Sequence, residues 1–175
     1  MRESTLRVLA NVASFQLGWF ACVLGAARGW GWAGPLLALA IAAAWLMVAP
    51  RPRALALLIV LTGMVGWCWD SALVVLGLIA YRPAPAPASL SLAPLWILAL
   101  WVLFATALPI SLRWLRGRWW QACLLGALAA PLAYFGGARL GALQLVRPWP
   151  ALLAQAAGWA LLLPLLVDLA RRCDA

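Results

Sequence analysis

One carboxylate stands alone in the apolar body of this chain. Asp70 is the only acidic residue between Glu3 and Asp168, and it falls within Ala54–Ala80, a run of about 27 residues with no other charge. Roughly 20 apolar residues suffice to cross a bilayer. The sequence therefore places this carboxylate inside a membrane, where an ionisable side chain is costly and by default marks a functional site with a partner. At a rise of about 1.5 Å per residue, Asp70 lies roughly 24 Å along its segment and Tyr134 about 22 Å from Trp119. Gln155 and Ser71 fall in the same layer, and Arg28 and Arg139 slightly further out. Six separated polar residues thus converge on one depth. In the functional reading Asp70 is a general acid or base with Tyr134 beside it. Arg139, Arg28, Gln155 and Ser71 then bind an oxygen or phosphate. In the structural reading Asp70 forms an ion pair or hydrogen-bonded knot with Arg139, Arg28 or Tyr134 that fixes helix register.

What the chain lacks narrows its chemistry. It has no histidine, and its four cysteines (Cys22, Cys68, Cys123, Cys173) show no CxxC spacing. Common zinc and iron constellations draw on imidazole or clustered thiolates, so neither a metal nor another cofactor is expected. A Ser-His-Asp or Cys-His arrangement is excluded as well. Cys22 and Cys68 fall at similar depth, which leaves a disulfide as the alternative to plain apolar filling.

Hydrophobic residues make up 67% of the 175 and charged ones 10%, against about 45–50% and 25% in soluble domains. So much apolar surface requires lipid as solvent. All 13 cations are arginine, giving a net charge of +9. They cluster at the ends of apolar runs, where they set orientation and meet anionic headgroups. No basic patch with interleaved aromatics lies outside those runs, so nucleic acid is not an expected partner. Membrane lipids are.

The pattern predicts an all-α, polytopic transmembrane bundle of about six helices forming a single domain over 1–175. The expected spans are Val8–Ala27, Ala33–Ala49, Ala54–Ala80, Ala93–Leu112, Trp119–Leu145 and Pro150–Ala170. With both termini inside, nine arginines fall on the cytoplasmic side (Arg2, Arg7, Arg51, Arg53, Arg113, Arg116, Arg118, Arg171, Arg172). Four fall outside: Arg28, Arg82, Arg139 and Arg147. That asymmetry obeys the positive-inside rule. Trp114, Trp119 and Trp120 mark the inner boundary, and Trp30, Trp32, Trp96 and Trp149 the outer one. Pro83–Pro87 reads as a stiff external spacer.

Small residues recur on three helical faces. Gly63, Gly66, Asp70 and Gly77 form one stripe, which turns Asp70 into the bundle. Asn11, Ser14, Gly18, Cys22, Gly25 and Gly29 form a second, and Ala133, Gly137 and Gly141 a third beside Tyr134. The first, third and fifth helices are therefore expected to form the tightly packed centre. Asp168 is spaced for a surface pair with Arg171 and Arg172.

Several stretches carry a family resemblance. They are Gln16-Leu17-Gly18-Trp19-Phe20-Ala21-Cys22, Trp69-Asp70-Ser71, Pro94-Leu95-Trp96 with Leu100-Trp101 and Phe104-Ala105-Thr106, Ala130-Pro131-Leu132-Ala133-Tyr134, and Gly137-Ala138-Arg139-Leu140-Gly141. Together they resemble an uncharacterised family of small polytopic bacterial inner-membrane proteins, a domain of unknown function covering nearly the whole chain. The resemblance implies a multi-pass protein of a bacterial inner membrane with a lipid-related role, and it carries over no catalytic residues. Similar proteins bear an Asn-His pair on the fourth helix where this chain has Pro109 and Ile110.

Three classes of function remain. The protein could handle or modify membrane lipid at the outer leaflet, with Asp70 and Tyr134 as the reactive pair. It could be a small transporter or channel with Asp70 as its intramembrane cation or proton site. Or it could be a non-catalytic membrane scaffold. Whether it is an enzyme, and whether it self-associates, stays open at this level.

Overall fold

Six apolar stretches form helices, and the points where the chain cannot stay helical decide their ends. A computed structural model describes residues 2–82 and 92–174. Its elements are α1 (Arg2–Ala27), α2 (Ala33–Met47), α3 (Pro52–Val75), β1 (Ile79–Tyr81), α4 (Leu95–Ala107), α5 (Trp119–Arg139), β2 (Leu143–Leu145) and α6 (Pro148–Asp174). Pro52 opens α3 at its first turn, where its missing N–H is not needed. The fold is an all-α bundle, as expected. Pro83–Pro87, expected to be a spacer, lies outside the described residues.

Two of the longer expected spans end five or six residues early, each at a glycine. α3 stops at Val75 because Gly77 takes a left-handed φ of 65°, and the Leu78 N–H returns to the Leu73 carbonyl at 3.0 Å. α5 ends the same way, with Gly141 at φ 87° and Ala142 N–H on the Gly137 carbonyl. Both are Schellman-type caps, so Gly77 and Gly141 are helix stops rather than members of packing stripes. The residues beyond them extend and pair antiparallel, Ile79 with Leu145 and Tyr81 with Leu143. Strand alternation turns Ile79 and Tyr81 inward and Ala80 outward.

Among the described residues, α1, α3, α5 and α6 are long and apolar enough to cross a membrane. α2 and α4, expected as full spans, have only 15 and 13 residues. α4 makes up for its length by position. It packs against α1, α2 and α3, and Trp96, Trp101, Leu103 and Ala105 are all buried. The expected centre of α1, α3 and α5 is thus corrected. α1 leans on α2 and α4 and α5 on α6, while α1 and α5 meet only at points such as the Trp19 ring against Gly136. Trp96 is likewise a core residue and not a boundary one; its Nε1 donates to the Arg82 carbonyl at 2.8 Å. Trp30, Trp32, Trp149, Trp114, Trp119 and Trp120 are exposed, as a belt requires. Cys22 and Cys68 are free thiols, one buried and one exposed, so the disulfide alternative falls.

The helices alternate between two ends. Arg7, Pro50, Arg51, Arg113 and Cys173 border one cavity, and Arg116, Asp168 and Arg171 another beside the end of α6. The β1–β2 ladder marks the opposite end.

Candidate functional site

α3 delivers Asp70 to the centre of the ladder end of the bundle, fully buried. Three donors from three other elements meet it. Tyr81 on β1 donates to Oδ1 at 2.7 Å, Tyr134 on α5 donates to the same oxygen at 2.5 Å, and Trp101 Nε1 on α4 donates to Oδ2 at 2.7 Å. A buried carboxylate is tolerable only when its lone pairs are occupied in this way. The chain contains two tyrosines, and both serve this one side chain.

Glycines make the approach possible. A Cβ on Gly66 would stand 1.8 Å from the Trp101 ring, so only glycine lets that indole lie across α3 and reach Asp70. Trp101 in turn stacks on Trp159 of α6, ring centres 4.7 Å apart at 16°. Gly158 admits the Trp69 ring in the same manner, and Trp69 Nε1 donates to Gln155 Oε1 at 3.1 Å. Gln155 is fully buried next to Asp70 and Tyr134, and its Nε2 makes no hydrogen bond.

Of the six residues expected at one depth, the structure brings together Asp70, Tyr134 and Gln155. Ser71 is buried one position on but turned elsewhere, accepting from Ala93 N–H at 3.1 Å. With Trp67 Nε1 on the Ala93 carbonyl at 2.7 Å, it satisfies the extended backbone that leads into α4. Arg28 and Arg139 are exposed, and among the described residues no arginine pairs with Asp70. The expected ion pair is corrected. Arg139 projects about 160° away from the inward-facing Gly137, and Arg28 lies past the end of α1. Asp168 does pair with Arg171 and Arg172, at 2.8 Å each.

The space left between α1 and α5 is a cavity of about 430 Å³. Phe15, Trp19 and Val23 form the α1 wall, and α5 contributes Leu125 through Gly137. Apart from Gln16, the polar side chains on it are Asp70 and Tyr134, together at the ladder end. Asp70 is shielded there by Trp101 and Tyr134, so an occupant meets the Tyr134 hydroxyl first. That hydroxyl donates its hydrogen bond to Asp70, and its oxygen keeps lone pairs with which to accept one.

Depth counting misses Tyr81 and Trp101. The signal for Tyr81 is compositional, since a chain with two tyrosines carries one of them eleven residues after its lone buried acid; Trp101 is one of 13 tryptophans and carries no such signal.

Fold and site together define a protein of membrane-crossing helices with a caged carboxylate beside an apolar cleft. The chain belongs to the family described as "Protein of unknown function (DUF2878)", whose sequence model matches residues 8–165. No curated protein and no solved structure matches it.

Proposed function

We propose that this is a lipid-handling protein of a bacterial inner membrane, which receives one apolar chain in the cleft between α1 and α5. The carrying observation is the cleft itself, apolar along its length but for Gln16 and polar at one end. Its α5 wall runs from Leu125 to Gly137, about 18 Å, against about 15 Å for one leaflet's share of the hydrocarbon core. Its volume falls in the range of small-molecule sites.

The polar end defines the class of lipid. Tyr134 offers an oxygen that accepts, Asp70 stands behind it as the acceptor of its proton, and no guanidinium is present to balance a phosphate. This favours a chain ending in an uncharged or cationic hydrogen-bond donor, such as a hydroxyl or an amine. The Asp70–Tyr134 pair can also pass a proton to or from such a group, which is the form a catalytic role would take. The cation-site reading finds less support, since three donors already occupy the two carboxylate oxygens.

The test is organic extraction of the purified protein followed by mass spectrometry. Wild type is expected to release one neutral or cationic lipid per chain. Ala133→Trp, on the exposed α5 wall of the cleft, should lose that lipid while its folded yield and helix content stay those of wild type. A wild type without stoichiometric lipid, or a variant carrying the same amount, would overturn the proposal.

A further inference from the structure

Gln16 borders the cleft from α1, the helix opposite Tyr134. It is the fifteenth of the 26 residues of α1, far from either end of the helix. It is exposed, as are Leu17 and Phe20 near it, so this face of α1 meets lipid. Among the described residues its amide has no hydrogen-bond partner. An amide left in hydrocarbon with nothing to bond to is costly. The register of the two walls shows what could relieve it. α1 and α5 both run toward the ladder end, where a Cβ on Gly141 would lie 3.8 Å from that of Ala27. Lower down, a Cβ on Gly136 would lie 3.9 Å from the Trp19 ring. One turn further back on each helix, a drop of about 4.5 Å, Gln16 and Ala133 come level. Tyr134 follows Ala133 in the chain, so the Gln16 amide and the Tyr134 hydroxyl stand on opposite walls within about one turn in depth.

We propose that Gln16 and Tyr134 together grip the polar end of the occupant, and that this end is an uncharged hydroxyl. Such a grip rests on the cleft being the lipid site proposed above, and it separates the hydroxyl from the amine. The Tyr134 oxygen offers lone pairs, while the Gln16 amide brings N–H groups that need an acceptor. A hydroxyl serves both walls, donating its one proton to Tyr134 and accepting from Gln16 on its own oxygen. An ammonium has no lone pair and would leave the Gln16 N–H groups in hydrocarbon. A carboxylate has no proton for the Tyr134 oxygen and would be drawn up toward the charge of Asp70. The ligand class that satisfies both walls is a neutral lipid alcohol.

The test sets equal amounts of 1-tetradecanol and tetradecylamine in competition for the purified protein in phosphatidylcholine nanodiscs, with native mass spectrometry identifying the chain each protein ion releases. Wild type is expected to retain the alcohol in preference to the amine. Gln16→Leu, a change on the lipid-facing side of α1, should still retain a chain, with its alcohol-to-amine ratio about fivefold lower, the yield of one net hydrogen bond. A wild type that prefers the amine, or a Gln16→Leu ratio equal to that of wild type, would overturn the hydroxyl grip and leave the lipid-binding cleft standing. A wild type that retains neither chain would remove the cleft reading and the grip with it. A dimeric wild type beside a monomeric Gln16→Leu would assign the amide to a second copy of the chain and overturn the grip.

Discussion

Three protons point at the Asp70 carboxylate, and what becomes of them sets the cost of any substitution there. Asp70→Leu leaves Tyr81, Tyr134 and Trp101 without an acceptor, at about 1–3 kcal/mol for each donor stranded. The expected loss exceeds about 3 kcal/mol in unfolding measured in detergent micelles. Asp70→Asn is milder, because Trp101 can donate to the amide oxygen while the tyrosine hydroxyls turn to accept from the amide nitrogen. Its expected cost is about 1–2 kcal/mol, the difference between charged and neutral hydrogen bonds. Equal loss for both variants would mean that charge, and not the count of donors, holds the site. Arg139→Gln should change stability by less than about 0.5 kcal/mol, since the exposed Arg139 is not the partner of Asp70. Depth counting found Asp70, Tyr134 and Gln155 because all three ride on long helices with a constant rise. It failed at Tyr81, which reaches Asp70 from a strand that folds back over the helix end. It also failed at the arginines, whose long stems let them share a depth with Asp70 without sharing its surroundings.

The small-residue faces were legible at the scale of single elements, while the partners of those faces were not. Gly66 lies at a close contact, as its stripe implied, but what covers it is the Trp101 ring of α4 and not the backbone of α1 or α5. A close helix–helix approach falls at Gly126, where a Cβ would stand 2.1 Å from the Trp159 carbonyl oxygen of α6. A carbonyl in a helix cannot turn aside, so Gly126→Ala must push α5 away from α6. Gly66→Ala should cost a similar amount, because the ring it meets is held by Asp70 and by stacking. Gly137→Ala meets only the Leu143 side chain, at 3.2 Å, and the flexible leucine can yield. Thermal unfolding should rank Gly126→Ala and Gly66→Ala as losing about 1–3 kcal/mol or more, with Gly137→Ala within about 1 kcal/mol of wild type. A Gly137 variant as damaged as the other two would contradict this account of the packing. The ladder escaped sequence reading for a related reason. Ile79–Tyr81 and Leu143–Leu145 are too short to differ in pattern from the helices before them, and only Gly77 and Gly141 mark the change.

For the whole molecule, the alternation of helices decides how the chain sits in a membrane. The start of α1 and the end of α6 border the same cavity, with Arg7 and Cys173 both in its wall, so the termini share one end. Nine arginines belong to that end by sequence and four to the other, a bias that points the richer end to the cytoplasm. The short helices do not disturb this parity. α2 rises about 22 Å over its 15 residues and still connects the Trp30 end to the Arg51 end, while α4 makes the reverse passage buried among its neighbours. This is why counting apolar runs gave the right number of helices, although two of them fall short of a full span. A reporter that is active only outside the cytoplasm should therefore be silent when fused after Ala175 and active when inserted within residues 83–88, between β1 and α4. Activity after Ala175 with silence at 83–88 would invert the orientation and place the arginine-bordered cavity on the external face. Activity at both positions would break the shared end of the termini, and with it the pairing of Arg7 and Cys173 around one cavity.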